Sequence, residues 1–123
     1  MKTWLVFLFV ASAAIVTAGG DAPTLEGKWS VHASVGGSDS DALCTFTQKE
    51  TVLTGSCTDN AGTFDLNGKV DDKKVTWSYK TLYNGSPLLV QYEGTWDPAG
   101  KMSGAVNVPD YAVSGEFSAT VAK

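Results

Sequence analysis

The chain of 123 residues contains no arginine, one histidine and two cysteines. Each scarcity narrows what the protein can do. Without arginine there is no bidentate fork for gripping carboxylates and phosphates. Lysine, nine residues, is outnumbered by thirteen acidic residues for a net charge of −4, the opposite of the basic footprint a nucleic-acid binder needs. Nucleic acid and anionic membrane surfaces are therefore excluded as expected partners, and a neutral or weakly polar ligand is favoured over an anionic one. The two cysteines, Cys44 and Cys57, lack a C-x-x-C spacing and have no nearby cation to activate a thiolate, so they read as structural. After the N-terminal leader no stretch carries a helical period; alternation of apolar and polar residues takes its place.

The leader is read first. Lys2 precedes the apolar run Trp4-Leu5-Val6-Phe7-Leu8-Phe9-Val10, and small residues continue to Ala18, the pattern of a secretory signal peptide over residues 1–18. The run is too short to span a bilayer, so no transmembrane segment is expected in the mature chain. Cleavage after Ala18 leaves about 105 residues, enough for one domain with a modest core. A flexible segment over 19–26 and a domain over 27–123 follow. Export to a secreted or periplasmic location predicts an oxidising compartment, in which Cys44 and Cys57 pair. Their positions centre a hairpin between Glu50 and Thr51, setting them opposite each other on adjacent antiparallel strands. Closing so short a loop stabilises by about 3 kcal/mol on the chain-entropy model.

Eight strands are expected. The first, Lys28 to Val35, turns Trp29, Val31, Ala33 and Val35 inward and His32 outward between Ser30 and Ser34. The second, Ala42 to Lys49, turns in Cys44 and Phe46, with Gln48 in phase; the third, Val52 to Thr58, turns in Leu53, Gly55 and Cys57. The fourth carries Phe64, Leu66, Gly68 and Val70, and the fifth Val75, Trp77, Tyr79 and Thr81. The sixth presents Leu88, Val90, Tyr92, Gly94 and Trp96, and the seventh Met102, Gly104, Val106 and Val108. The last presents Val113, Gly115, Phe117, Ala119 and Val121. Connections this short suit a meander, and strands with one apolar face bury it together by closing into an all-β, single eight-stranded antiparallel up-and-down β-barrel. An immunoglobulin-type sandwich is the rival, disfavoured because its inter-sheet bridge needs far greater separation of the cysteines.

A meander sorts its connections by end. Those at 50–51, 71–74 and 97–100 are tight and mark a closed end plugged by Trp29, Trp96 and Met102. Those at 36–41, 59–62, 82–87 and 109–112 include longer loops, with Tyr83 and Tyr111 on the rim, and mark a mouth. Phe64, Tyr79, Thr81, Leu88, Val90, Tyr92, Val106, Val108 and Val113 then line the middle and the opening. An eight-stranded interior either fills with side chains or holds one small ligand. Inward Gly55, Gly68, Gly94, Gly104 and Gly115 either let the barrel coil tightly or leave space. On one reading Trp77, Tyr79, Tyr92 and Phe117 simply form core; on the other they border an apolar cup whose few polar groups are the Tyr79, Tyr92 and Thr81 hydroxyls.

Gly27-Lys28-Trp29 at the head of the first strand resembles the Gly-x-Trp signature of the calycins, the lipocalin and avidin-type barrels, in which the tryptophan packs across the closed end. The likeness spans the domain as topology but little more than this tripeptide as sequence. Glu93 to Trp96 repeats Glu26 to Trp29 as Glu-Gly-x-Trp. The chain departs from lipocalins in its shorter strands and in having no C-terminal arginine to cover the tryptophan, a role left to Lys123. It is also similar to periplasmic metalloprotease inhibitors, small barrels with Gly-x-Trp and one disulfide.

The catalytic inventory is short. A Ser-His-Asp arrangement around His32 would lie on the barrel exterior without a cavity. Asp39 and Asp41 form a D-x-D without further calcium ligands, and Asp71 and Asp72 read as turn residues. Inward carboxylates are absent from the pattern, against hydrolysis inside the barrel. No cofactor, metal or catalytic residue is assigned. Asn84-Gly85-Ser86 is a glycosylation sequon relevant only in a eukaryotic host and followed by Pro87. The expectation is a barrel binding a small apolar or aromatic molecule through Phe64, Trp77, Tyr79, Thr81, Leu88, Val90, Tyr92, Val106 and Phe117. A module that contacts a secreted protein, such as a protease inhibitor acting through residues 19–25 or the rim loops, is the alternative. A cofactor-free isomerase or cyclase using Tyr79 and Tyr92 is the third reading.

Overall fold

The structure, a computed structural model, describes residues 24–122; the expected leader, positions 19–23 and Lys123 lie outside them. Within the described residues eight strands follow in order: β1 Gly27–Val35, β2 Ser38–Lys49, β3 Val52–Asp59, β4 Gly62–Asp71, β5 Lys74–Tyr83, β6 Ser86–Asp97, β7 Lys101–Val108 and β8 Val113–Val121. A 3-10 turn, Pro109–Tyr111, joins β7 to β8. Each strand pairs with its sequence neighbours, and β8 pairs antiparallel with β1, closing an eight-stranded barrel. No helix among the described residues is long and apolar enough to cross a membrane.

The period-2 pattern produces the barrel directly. Along β1, Trp29, Val31 and Ala33 are buried while Ser30, His32 and Ser34 are exposed. In β5 the buried set is Val75, Trp77 and Tyr79, with Lys74, Thr76 and Lys80 outside. Cys44 and Cys57 stand directly opposite each other in the β2–β3 register and form the disulfide, their Cα atoms 4.0 Å apart. Both are fully buried, so the bridge ties two strands from within the core.

Trp29 and Trp96 close one end with Met102, all three buried. The Trp29 indole N–H donates to the Leu25 carbonyl at 2.9 Å, and the Leu25 N–H donates to Gln48 Oε1 at 2.9 Å. Leu25, in the segment ahead of β1, is itself wholly buried, so the chain enters the barrel across its closed end. The Trp96 indole N–H donates to the Asp72 carbonyl at 3.0 Å, and the Lys73 ammonium lies 5.0 Å over the Trp96 ring. Each indole thereby satisfies its one donor while its rings cap the core.

The inward glycines serve tight coiling. Gly94 of β6 and Gly104 of β7 face each other in register. A Cβ on Gly94 would lie 2.1 Å from the Ser103 carbonyl oxygen, and one on Gly104 would lie 2.1 Å from that of Glu93. Neighbouring backbones occupy the space a side chain would need, so these glycines curve the sheet and leave no void beside the aromatics.

Several expected details are corrected. The 36–41 loop is the two-residue turn Gly36-Gly37, and β2 starts at Ser38, four residues before Ala42. Both glycines have left-handed φ, 58° and 82°, the geometry of a type I′ hairpin turn; the polar run Ser38 to Asp41 continues as strand. The 82–87 loop is likewise only Asn84-Gly85, with φ of 53° and 81°, because Leu82 pairs with Pro87 and Tyr83 with Ser86. The mouth end is thus distinguished by strands that run on; three of its four connections are two-residue turns, and the fourth carries the 3-10 turn Pro109–Tyr111. Val113 and Val121, expected inside, are 41% and 47% exposed, since each lies at an end of β8 beyond the packed core.

Candidate functional site

The core fills from the closed end upward, and the filling stops short of the mouth. Trp77 of β5 and Tyr92 of β6 are register partners whose rings stack at 3.8 Å between centroids and 4° between planes. Phe117 meets Tyr92 edge-on at 5.2 Å, and Phe46 meets Trp77 edge-on at 5.3 Å. The four rings form a solid layer across the barrel, each favourable contact adding about 0.5–1.5 kcal/mol beyond simple burial. The Trp77 indole N–H is buried with no hydrogen-bond partner among the described residues.

Above this layer an open cup of about 420 Å³ remains. Tyr92 contributes the upper surface of the ring layer as its floor. Ala33 and Val35 of β1, Thr81 of β5, Leu88 and Val90 of β6, and Val106 and Val108 of β7 supply the walls. Leu82 and Tyr83 stand at its edge. The Tyr83 ring, 52% exposed, meets that of Tyr111 edge-on at 5.7 Å. The 3-10 turn that carries Tyr111 thus places a second aromatic beside the β5–β6 hairpin.

Six of the nine residues singled out from the sequence share this lining: Tyr79, Thr81, Leu88, Val90, Tyr92 and Val106. Trp77 and Phe117 lie beneath, in the ring layer. Phe64 is half-buried beside Tyr79, 6.3 Å between stacked rings, and borders a separate hollow of about 510 Å³ among the outward residues Thr63, Asp65 and Lys80.

Several lining residues escaped the sequence pattern, Ser38 and Ser40 of β2 and the Asn60-Ala61 turn among them, and one, Asp59, corrects the expectation that no carboxylate points inward. Asp59, the last residue of β3, continues the phase of Leu53, Gly55 and Cys57. Its Oδ2 accepts from Thr81 Oγ1 at 2.7 Å and from the Tyr79 hydroxyl at 3.3 Å, and its Oδ1 accepts from the Ala61 N–H at 2.8 Å. Parity was the signal that could have found it: 59 is in step with 57, but the turn-like Asp59-Asn60 pair ended the strand one residue early.

These contacts set the state of the tyrosines. Burial first, then the neighbouring Tyr92 and the Asp59 carboxylate, push the Tyr79 hydroxyl far above the ordinary phenol range. Burial, aided by Asp59 and opposed by the hydrogen bond with Tyr79, pushes Tyr92 up to about 12. Both are neutral phenols at physiological pH, available as donors and unsuited to act as phenolate bases.

On the outer wall His32 Nδ1 lies 2.7 Å from Asp41 Oδ1, and Nε2 lies 3.8 Å from Asp39 Oδ1. The hydrogen bond to Asp41 comes first and outweighs an opposing desolvation effect, and the charges of Asp41 and then Asp39 add to it; together they raise the imidazole above its usual value. Among the described residues, no group of three or more histidines, cysteines and carboxylates is placed to hold a metal ion. Comparison with known protein families, with curated proteins and with solved structures finds no match for this chain.

Proposed function

We propose that this protein is a secreted or periplasmic β-barrel that binds one small, mostly apolar molecule in the cup at its open end. The observation that carries the reading is a cavity of about 420 Å³ above a closed aromatic layer, within the range of ordinary small-molecule sites. Its walls are aliphatic on the β6, β7 and β1 side, its floor is a tyrosine ring, and its polar groups, among them Ser38, Ser40, Asp59, Asn60 and Thr81, come from β2, β3 and β5, the arrangement that gives affinity through burial and orientation through hydrogen bonds. Export is supported by the leader-like N-terminus and by a buried disulfide, which persists where thiols are oxidised. A calycin-like relationship is supported by the closed eight-strand meander with Trp29 across its narrow end.

The cup is tested by filling it. Leu88 is half-buried on the wall, so Leu88→Trp places an indole in the cavity at little cost to the core. Calorimetric titration of the wild type with small neutral aromatics such as naphthalene and indole is expected to show saturable binding, weakened at least about tenfold by Leu88→Trp, one lost pocket being worth that much. Equal binding by both proteins, or none by the wild type, would remove the cup as the site.

A second reading, a module that docks on another protein, is favoured by the apolar rim: Leu82, Tyr83, Tyr111 and Val113 are all exposed around the mouth. Tyrosines at such a rim are the residue type enriched at protein interfaces. Tyr83→Ser with Tyr111→Ser should abolish inhibition of a target protease on this reading and leave small-molecule binding in the cup intact. The isomerase or cyclase reading retains Tyr79 and Tyr92 only as neutral hydrogen-bond donors.

A further inference from the structure

The walls of the cup are uncharged except on one side, and the charge there has one sign. Of the lining residues only Asp41 and Asp59 are ionisable to a charge near neutral pH. The Asp41 carboxylate is turned to the outer face, where it meets His32 at 2.7 Å. Asp59 is the carboxylate left inside. No lysine or histidine lines the cavity, and among the described residues no ion pair to Asp59 is formed.

The hydrogen bonds of Asp59 fix it in place without neutralising it. Thr81, Tyr79 and the Ala61 N–H are all neutral donors. A carboxylate offers about four acceptor positions, so three are taken and about one remains. The Tyr79 phenol is held protonated, so it supports the charge. The result is a positioned carboxylate at the edge of an apolar cup, held by neutral donors only and with about one acceptor position open to a ligand.

We infer that the ligand class of this cup is an apolar, preferably aromatic, body carrying a protonated amine, with the ammonium on Asp59 and the ring over Tyr92. This inference rests on the reading of the cup as a ligand site and names the chemistry that site selects. An acid of the same shape is repelled by Asp59, and a neutral alcohol gains a hydrogen bond without the charge. Charge-assisted bonds are about twice as strong as neutral ones, and an amine with one aromatic ring is small enough for a cavity of about 420 Å³.

A matched indole series tests this by calorimetry at about pH 7 and low salt: tryptamine, tryptophol and indole-3-propionate. In the wild type, tryptamine is expected to bind about tenfold more tightly than tryptophol, the usual value of a hydrogen bond to a charged group over a neutral one, and the acid to bind most weakly. Asp59→Asn retains an oxygen for the Ala61 N–H and is expected to reduce the tryptamine preference to within about twofold while leaving tryptophol unchanged. Should Asp59→Asn fail to fold, the wild-type order of the three probes stands as the test. Equal binding of tryptamine and tryptophol, both lost in Leu88→Trp, would overturn the amine inference and leave the cup standing. Binding by none of the three would overturn both.

Discussion

Tyr79 and Tyr92 are held as phenols by where they sit, and that has a consequence for stability. Their proton affinities are raised in the folded state, so above about pH 10, the ordinary phenol value, the unfolded chain releases protons that the folded chain keeps. The contribution to stability is complete below about pH 10 and is lost as pH rises through about 12 for Tyr92. Ring resonances of both tyrosines should stay unshifted to about pH 11 in an alkaline NMR titration; ionisation near pH 10 would contradict their packing. His32 shows the same sign at lower pH. Its folded value lies above the ordinary imidazole value of about 6.5, so its contribution is present below that point and fades as pH rises through the folded value. An NMR titration of its ring should give a midpoint above 6.5, returning toward that value in Asp41→Asn, and no change in that variant would dismiss the ion pair as the cause. At the residue scale the least legible feature was Asp59. An aspartate followed by asparagine signals a turn, and only the bonds to Tyr79 and Thr81 distinguish it from one.

The β2–β3 hairpin joins local turn chemistry to covalent closure. Glu50 adopts a left-handed φ of 58°, the register sets Cys44 against Cys57, and the bridge closes a separation of 13 residues. Replacing both cysteines by alanine should lower unfolding free energy by about 3 kcal/mol, read from denaturant curves; a loss below about 1 kcal/mol would mean that the strand pairing alone holds this hairpin. The β6–β7 pair depends on the absence of side chains. Gly94→Ala should destabilise by about 2–4 kcal/mol, because the methyl group meets backbone that cannot rotate away; a neutral substitution would show that the two strands can separate. Strand phases were readable because buried and exposed positions alternate strictly in β1, β4 and β5. Strand ends at the mouth were not. Ser38 to Asp41 carries no apolar residue to reveal its phase, and its strand character comes from pairing with Val35 to His32 across a Gly-Gly turn.

For the whole molecule, closure follows from eight one-faced strands with short connections, and both the barrel and its single bridge could be read from the sequence. Whether the interior was filled or open could not, because the same aromatic residues serve either purpose and the outcome depends on where along the axis they stand. Trp77, Tyr92, Phe46 and Phe117 fall at one level and fill it; one level higher, Thr81, Val90 and Val108 are too small to meet across the barrel, and a cup of about 420 Å³ remains. The central claim is that this level receives a ligand. Its most direct test is amide and methyl chemical-shift mapping of the protein titrated with tryptamine. The account predicts saturable shifts concentrated at Ala33, Asp59, Thr81, Val90 and Val106, with the closed end around Trp29 and Met102 unmoved. Shifts confined to the Tyr83 and Tyr111 rim, or the absence of any saturable shift, would contradict it.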